Sequence, residues 1–189
     1  MNKNRIFTTF FLVLLAAFAQ AQPELNKASI GYFSHGGIHP GGKIGAEYVL
    51  SEKMKPVSEV ERKISLLMNP QIGGFIRENF YTGILVNNEL GLQRQRTDRK
   101  RYSIYSIGLG YLHFVEVVDY TVNLQGEITN KTRENRPYFF PSVNYALGRD
   151  IGERFGIYGK LTYGMRMTSA RENATQLFVE FGMKLGLNN

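Results

Sequence analysis

His113 has the residue type and the setting from which acid–base chemistry is most easily built in this chain. It is one of three histidines, and it ends an alternating stretch on the same parity as Tyr111 and Val115. A hydrolase needs a nucleophile within hydrogen-bond reach of such a base, and a third group that orients the base. Because no serine occupies either same-parity position, we expect a surface histidine here, with the base of an acyl hydrolase as the alternative.

The other two histidines, His35 and His39, flank a glycine-rich segment that reads HGGIHPGG. A His-x-x-x-His pair could contribute to a metal site, but on a loop this spacing imposes no common face, and no nearby acid offers a third ligand. Glycines and Pro40 break regular structure at this point. We therefore interpret both histidines as turn residues, and the sequence predicts no metal site and no cofactor.

Charged residues recur on one parity of the alternating segments, opposite the apolar residues. If these segments enclose a narrow interior, the charges must pair with one another or carry a large desolvation penalty. We predict a structural ion network inside the protein, with an ion-selective lumen as the alternative. The predicted members of the network are Glu47, Glu89, Lys160, Arg166, Glu180 and Lys184.

The elements that must position these side chains are predicted to be β-strands. Residues 174–187 read ATQLFVEFGMKLGL, and their apolar residues alternate with small or charged ones in the period of two that is typical of a strand. The same alternation recurs in seven earlier segments, at 28–34, 43–50, 63–76, 80–95, 101–112, 138–148 and 155–167. The polar residues of 114–136 predict a long exposed loop, with continued strands as the alternative. Eight strands in sequence predict an all-β, eight-stranded antiparallel up-and-down barrel, because closure removes both unpaired edges.

Two features favour a transmembrane barrel over a soluble, lipocalin-like barrel that binds a small apolar ligand. The parity opposite the apolar one is rich in glycine, as a narrow interior requires. The apolar parity carries tyrosines such as Tyr32 and Tyr105, of the kind that form interfacial girdles in outer-membrane barrels. The apolar parity should therefore face lipid, and its expected mid-strand members are Ile84, Val86, Leu109, Leu161, Val179 and Phe181.

The N-terminus has the features of an export signal. Lys3 and Arg5 precede an apolar run at 6–18, and Ala19-Gln20-Ala21 matches a signal-peptidase site. We predict a signal peptide at 1–21 and a barrel domain at 22–189. Cleavage there would remove two cations and no acids, reducing the formal net charge from +7 to about +5. With no aromatic-basic module in the chain, nucleic acid is not an expected partner. The absence of cysteine excludes disulfides and a lipidated N-terminal cysteine.

Several motifs of the mature chain are moderately specific. They are GYFSHGGIHPGGKIGAEYVL, Asn69-Pro70, NNELGLQRQR, the GLGYL of 108–112, and RPYFFPSVNYALGRD. Through them, nearly all of the mature chain resembles small outer-membrane β-barrel proteins of the Bacteroidetes type. The resemblance implies an integral protein of a Gram-negative outer membrane, surrounded by lipid and lipopolysaccharide, and placed there by the barrel-insertion machinery. The chain departs from many such barrels in ending Leu187-Asn188-Asn189 rather than on an aromatic residue, so insertion would depend on Phe181 or on another signal.

From this resemblance we predict a structural or surface-binding role without enzyme activity, with any extracellular ligand unknown. Two alternatives remain open at this stage. One is the soluble lipocalin-like barrel. The other is an outer-membrane enzyme that modifies lipid A, since some eight-stranded barrels remove or transfer its acyl chains.

Overall fold

A computed structural model describes residues 24–57, 60–96, 98, 100–122, 125, 128–152, 154–167 and 173–187. The predicted signal peptide lies outside the described residues. No helix in these ranges is long and apolar enough to cross a membrane.

Eight antiparallel strands form one closed sheet in chain order, with β1 paired to both β2 and β8. Their bounds are β1 Glu24–His35, β2 Gly41–Val57, β3 Val60–Arg77, β4 Tyr81–Arg96, β5 Arg101–Val122, β6 Ile128–Ile151, β7 Phe155–Arg166 and β8 Ala174–Gly186. The predicted eight-stranded up-and-down transmembrane barrel is therefore confirmed. The alternation of apolar and polar residues was sufficient to predict it because every strand presents one face to the lumen and one to the exterior.

The expectation of a long loop at 114–136 is wrong, because β5 continues to Val122 and β6 begins at Ile128. From Asp119 to Val122, β5 pairs only with β6 among the described strands. In this part of the hairpin β6 pairs only with β5 among the described residues, because the β6–β7 ladder begins at Ser142. The polar turn expected at 51–61 is also shorter than predicted, since β2 ends at Val57 and β3 begins at Val60.

The outer wall of the barrel is apolar. Leu109 is 64% exposed and Phe181 62% exposed, and Ile84, Val86 and Leu161 are also exposed on this wall. Val179 lies on the same parity of β8 and is partly buried. A wall of this composition is stable in hydrocarbon and unsuited to water, which is the opposite of a lipocalin-like barrel with an apolar interior and a polar exterior.

Five phenylalanine rings fill the half of the lumen that lies toward the β3–β4 turn. Each ring is at most 1% exposed, and they contact one another in stacked or edge-to-face pairs. Glycines on adjacent strands make room for two of them: a Cβ at Gly83 would collide with the Phe75 ring, and one at Gly164 with the Phe140 ring. These two glycines are therefore a packing requirement of the rings. We call this layer the phenylalanine plug, and its members are Phe33, Phe75, Phe114, Phe140 and Phe178.

Candidate functional site

Below the plug, Glu180 on β8 lies at the centre of a buried ion network. Its carboxylate accepts hydrogen bonds from the Lys43 ammonium and the Tyr158 hydroxyl, and its Oε2 lies 3.2 Å from Lys160 Nζ. Lys160 Nζ also donates to Glu89 Oε1 at 2.9 Å, across the lumen. None of these four charged residues is more than 7% exposed. The charge of each residue is therefore compensated by its partners rather than by water.

A second buried pair joins Lys184 on β8 to Glu47 on β2. The Lys184 ammonium also lies 4.9 Å from the centre of the Tyr102 ring, in a cation–π contact. Farther from the plug, Lys27 Nζ donates to Asp150 Oδ1 at 2.8 Å. Charges of opposite sign thus alternate along the polar half of the lumen, and they enclose a cavity of about 30 Å³, enough for one or two waters.

Five of the six residues predicted for the ion network lie in these contacts: Glu47, Glu89, Lys160, Glu180 and Lys184. Arg166 does not, which corrects the prediction for this residue. It stands at the last position of β7, six residues from Lys160, where its Nη1 lies 3.6 Å from Glu116 Oε1 and its guanidinium contacts Tyr138. Alternation in the sequence assigns a side chain to the lumen or to the exterior. It does not show which residues of different strands lie at the same depth in the barrel, so it could not separate Arg166 from the others.

Lys43 is the member that the sequence prediction missed. It shares the parity of Glu47, four residues on, and so carried the same signal, but it stands at the boundary of the predicted strand. Tyr158 and Gln71 were missed as well, because uncharged side chains on the lumen parity give no indication of pairing. Gln71 Oε1 accepts a 2.9 Å hydrogen bond from Lys160 Nζ.

His35 closes the plug on its outer side. Its Nδ1 lies 2.8 Å from the Tyr81 hydroxyl, its Nε2 contacts the Gln176 amide oxygen, and its ring packs on Phe178 at 5.0 Å. His35 and His39 exchange backbone hydrogen bonds of 3.2 Å across the tight loop between them, so both serve the turn. Among the described residues no group of three potential ligands could hold a metal ion.

On the outer wall, three polar side chains form a row that contacts neither the ion network nor the plug. Tyr111 Oη lies 3.2 Å from His113 Nδ1, and His113 Nε2 lies 3.3 Å from Asn135 Oδ1. Tyr111 and His113 are two residues apart on β5, and Asn135 comes from β6, where His113 is opposite Pro137. The pairing register of β5 and β6 therefore brings these three side chains together. We call them the outer-wall row.

The outer-wall row has the arrangement of a nucleophile, a base and an orienting group. With Asn135 Oδ1 accepting from Nε2–H, the other imidazole nitrogen of His113 is the unprotonated one, and it faces the Tyr111 hydroxyl. An amide oxygen plays the same orienting part in the Cys-His-Asn proteases. The distances are somewhat long for such hydrogen bonds, as is common before a substrate binds. Sequence reasoning missed the row because it searched for serine, and because Asn135 lay in a segment taken for a loop.

No family model matches this chain, and no curated protein matches its sequence. Among solved structures it is similar to the outer membrane enzyme PagL, with a TM-score of 0.52 and 9% sequence identity over 85% of this chain and 98% of that one. The similarity supports the eight-stranded barrel fold. It also overturns the prediction that the chain is not an enzyme, because the solved barrel with this fold is itself an enzyme.

Proposed function

We propose that this protein is an enzyme of a Gram-negative outer membrane and that it removes or transfers an ester-linked acyl chain of lipid A. The observation that carries the proposal is the outer-wall row, Tyr111–His113–Asn135, on an outer wall that is mainly apolar. A membrane lipid reaches such a row from the side without entering the barrel. The plug and the ion network leave no comparable access from the lumen among the described residues.

The row supplies a complete acyl-transfer step. As the Tyr111 oxygen attacks the ester carbonyl carbon, His113 Nδ1 takes the phenolic proton, and the tetrahedral intermediate then expels the lipid alkoxide, which receives that proton. Water releases the acyl group from Tyr111 by the same steps with His113 again as the base, which regenerates the hydroxyl. The ester between the acyl group and Tyr111 is more easily hydrolysed than the original lipid ester. Phenol is far more acidic than an aliphatic alcohol, so its oxygen is the better leaving group.

Mass spectrometry of lipid A from cells that express the protein tests this function. Wild-type protein should give lipid A lacking one ester-linked acyl chain, or carrying one more if the acyl group passes to a second lipid. His113→Ala should leave lipid A unchanged. His39→Ala is the matched control. His39 lies in the loop between β1 and β2, so its replacement should not alter the wild-type result. Identical lipid A with wild-type protein and in cells without it would contradict the proposal.

Tyr111→Phe separates the nucleophile from the base. This variant keeps the ring and removes only the hydroxyl, so lipid A should again be unchanged. If instead Tyr111→Phe were as active as wild type while His113→Ala was inactive, the nucleophile would be water and Tyr111 would have no covalent role.

A further inference from the structure

A broad groove on the outer wall begins beside the outer-wall row. It crosses β1 to β5, has a volume of about 970 Å³ and is lined by Tyr111 at its β5 end. The lining residues with short side chains, Ala28, Ala46, Pro70 and Asn88, form its floor. The residue whose hydroxyl serves as the nucleophile in the proposed function therefore also lines a long depression in the wall.

The strand register shows that the groove descends into the membrane from Tyr111. Ladder partners followed from Tyr32 on β1 reach β5 at His113 by way of β2 to β4, but at Ser103 by way of β8 to β6. These two positions on β5 are ten residues apart, so the strands are tilted, and a row of partners climbs toward the β3–β4 turn as it passes from β1 to β5. The β5 end of the groove is thus the end nearest the membrane surface, and the β1 end is the deepest.

The groove has the length and the direction of one acyl chain. Four strand spacings separate β5 from β1 in the closed sheet, which gives a path of about 19 Å at about 4.8 Å per spacing. With strands tilted by about 40°, this path descends about 12 Å. One leaflet of a bilayer has a hydrocarbon depth of about 15 Å. A lipid with its headgroup at the surface and its ester at the Tyr111 hydroxyl would have its acyl chain pointing along this path.

The two ends of the groove match the two ends of an ester-linked chain. Asn88, the polar member of the floor, is opposite Leu109, two residues from Tyr111, and so lies near the ester end. At the deep end, Ala28 is opposite Leu185 of β8, whose side chain is 42% exposed on the wall. The short side chains of the floor therefore end at a large one, and the path open to a chain has a limited length.

We propose that this groove binds the acyl chain that the outer-wall row removes, and that Leu185 limits the length of chain it accepts. The inference rests on the proposed function, because only acyl transfer at Tyr111 gives the bound chain a role. Lipid tails contact the outer wall everywhere. In the groove, however, a chain also contacts side chains on either side of the floor, such as Ile72 and Val86, and so buries more apolar surface. The ligand is thus a long, unbranched acyl ester.

Cysteine protection measures binding of the chain without turnover, since the protein has no native cysteine. Ala28→Cys places a thiol at the deep end of the groove, and Leu161→Cys places a control thiol on β7, outside the groove. Both are made in a His113→Ala background, so that the ester used as a probe is not consumed. The purified barrel is kept in a bile-salt detergent, which has no linear acyl chain to occupy the groove. Heat-modifiable gel migration verifies that each variant is folded.

Methyl palmitate at about ten times its Kd should slow maleimide labelling of Ala28→Cys about tenfold, because labelling reports the unoccupied fraction. Methyl butanoate at the same concentration should not slow it, since a short chain does not reach position 28. Neither ester should protect Leu161→Cys. Adding Ala46→Leu fills the floor and should abolish the protection. No protection of Ala28→Cys, equal protection of both cysteines, or protection that Ala46→Leu does not alter would each overturn the inference.

The same titration with methyl esters of increasing length tests the limit at Leu185. The Kd should fall with each added carbon up to a limiting length and then stay constant. Leu185→Ala should extend that length by about two or three carbons, the size of the side-chain segment that is removed. Leu161→Ala should leave it unchanged, and an unchanged limit in Leu185→Ala would overturn the role of this residue.

The groove and the chemistry fail separately. Protection at position 28 together with unchanged lipid A would refute acyl transfer alone. Altered lipid A without protection at position 28 would refute the groove alone.

Discussion

The two polar clusters of this barrel differ in what surrounds them. In the lumen, Glu180 is 2% exposed and is held by two ammonium groups and a phenol. On the outer wall, His113 has two neutral partners and an open side. Removing one member of a buried, paired set leaves a charge without compensation, whereas removing one member of an exposed row leaves little behind. The lumen cluster therefore contributes to stability, and the outer-wall row is free to do chemistry.

The largest expected effect is on the lumen side of this comparison. Glu180→Ala leaves Lys43 without its carboxylate and reduces the partners of Lys160, which should lower the free energy of unfolding by about 3 to 5 kcal/mol. Urea unfolding in detergent, followed by the loss of heat-modifiable migration, measures the change. Ser142→Ala is a matched control, because the buried Ser142 hydroxyl has no partner. A Glu180→Ala barrel as stable as wild type would show that the network is not needed for stability.

The outer wall should respond to charge according to depth. Leu161→Arg, midway along β7, is expected to cost about 2 to 4 kcal/mol, because an arginine there faces hydrocarbon. Leu177→Arg lies close to the start of β8 and should cost about 0 to 1 kcal/mol, because interfacial water and headgroups solvate the guanidinium. Unfolding in lipid vesicles gives both values. Equal costs at the two positions would mean that the wall does not span a bilayer in this orientation.

A paired replacement shows whether the lumen charges need each other or only need to be neutral. Lys184→Met alone leaves Glu47 buried without its cation and should destabilise the barrel by a few kcal/mol. Adding Glu47→Leu should recover most of that loss, since apolar groups of similar size often replace a buried pair at little cost. A double-mutant cycle in urea measures the coupling. If the losses simply added, the two residues would be acting independently.

The smallest stability effect is expected where the functional effect is greatest. His113→Ala should alter the free energy of unfolding by less than about 0.5 kcal/mol, as for most exposed positions, while abolishing the change in lipid A. Thermal and urea unfolding of the purified barrel give the first quantity, and lipid A mass spectra give the second. A strongly destabilised His113→Ala variant would remove the contrast between the two clusters.

The sequence predicted the fold well because a closed barrel imposes a period of two on every strand that crosses lipid. It failed in 114–136, most of which forms the end of the β5–β6 hairpin; from Asp119 to Val122, β5 has left its β4 partner, and the polar residues of this end resemble those of a loop. It predicted which charges face the lumen but not their partners, because pairs such as Lys160 with Glu89 depend on register around the whole barrel. The contact of His113 with Asn135 depends in the same way on the β5–β6 register, which a presumed loop concealed.

The ion network also constrains the order of assembly. Its pairs join residues far apart in the chain: Lys43 to Glu180 and Lys184 to Glu47 are each separated by 137 positions. While the seam between β1 and β8 is open, Lys43, Glu47 and Lys184 lack these ion-pair partners, and a half-built sheet would carry them into hydrocarbon uncompensated. Insertion strand by strand is therefore disfavoured. Such a chain should enter the membrane with its interior still hydrated. Its lumen charges should then pair in one late step, when the last strand meets the first.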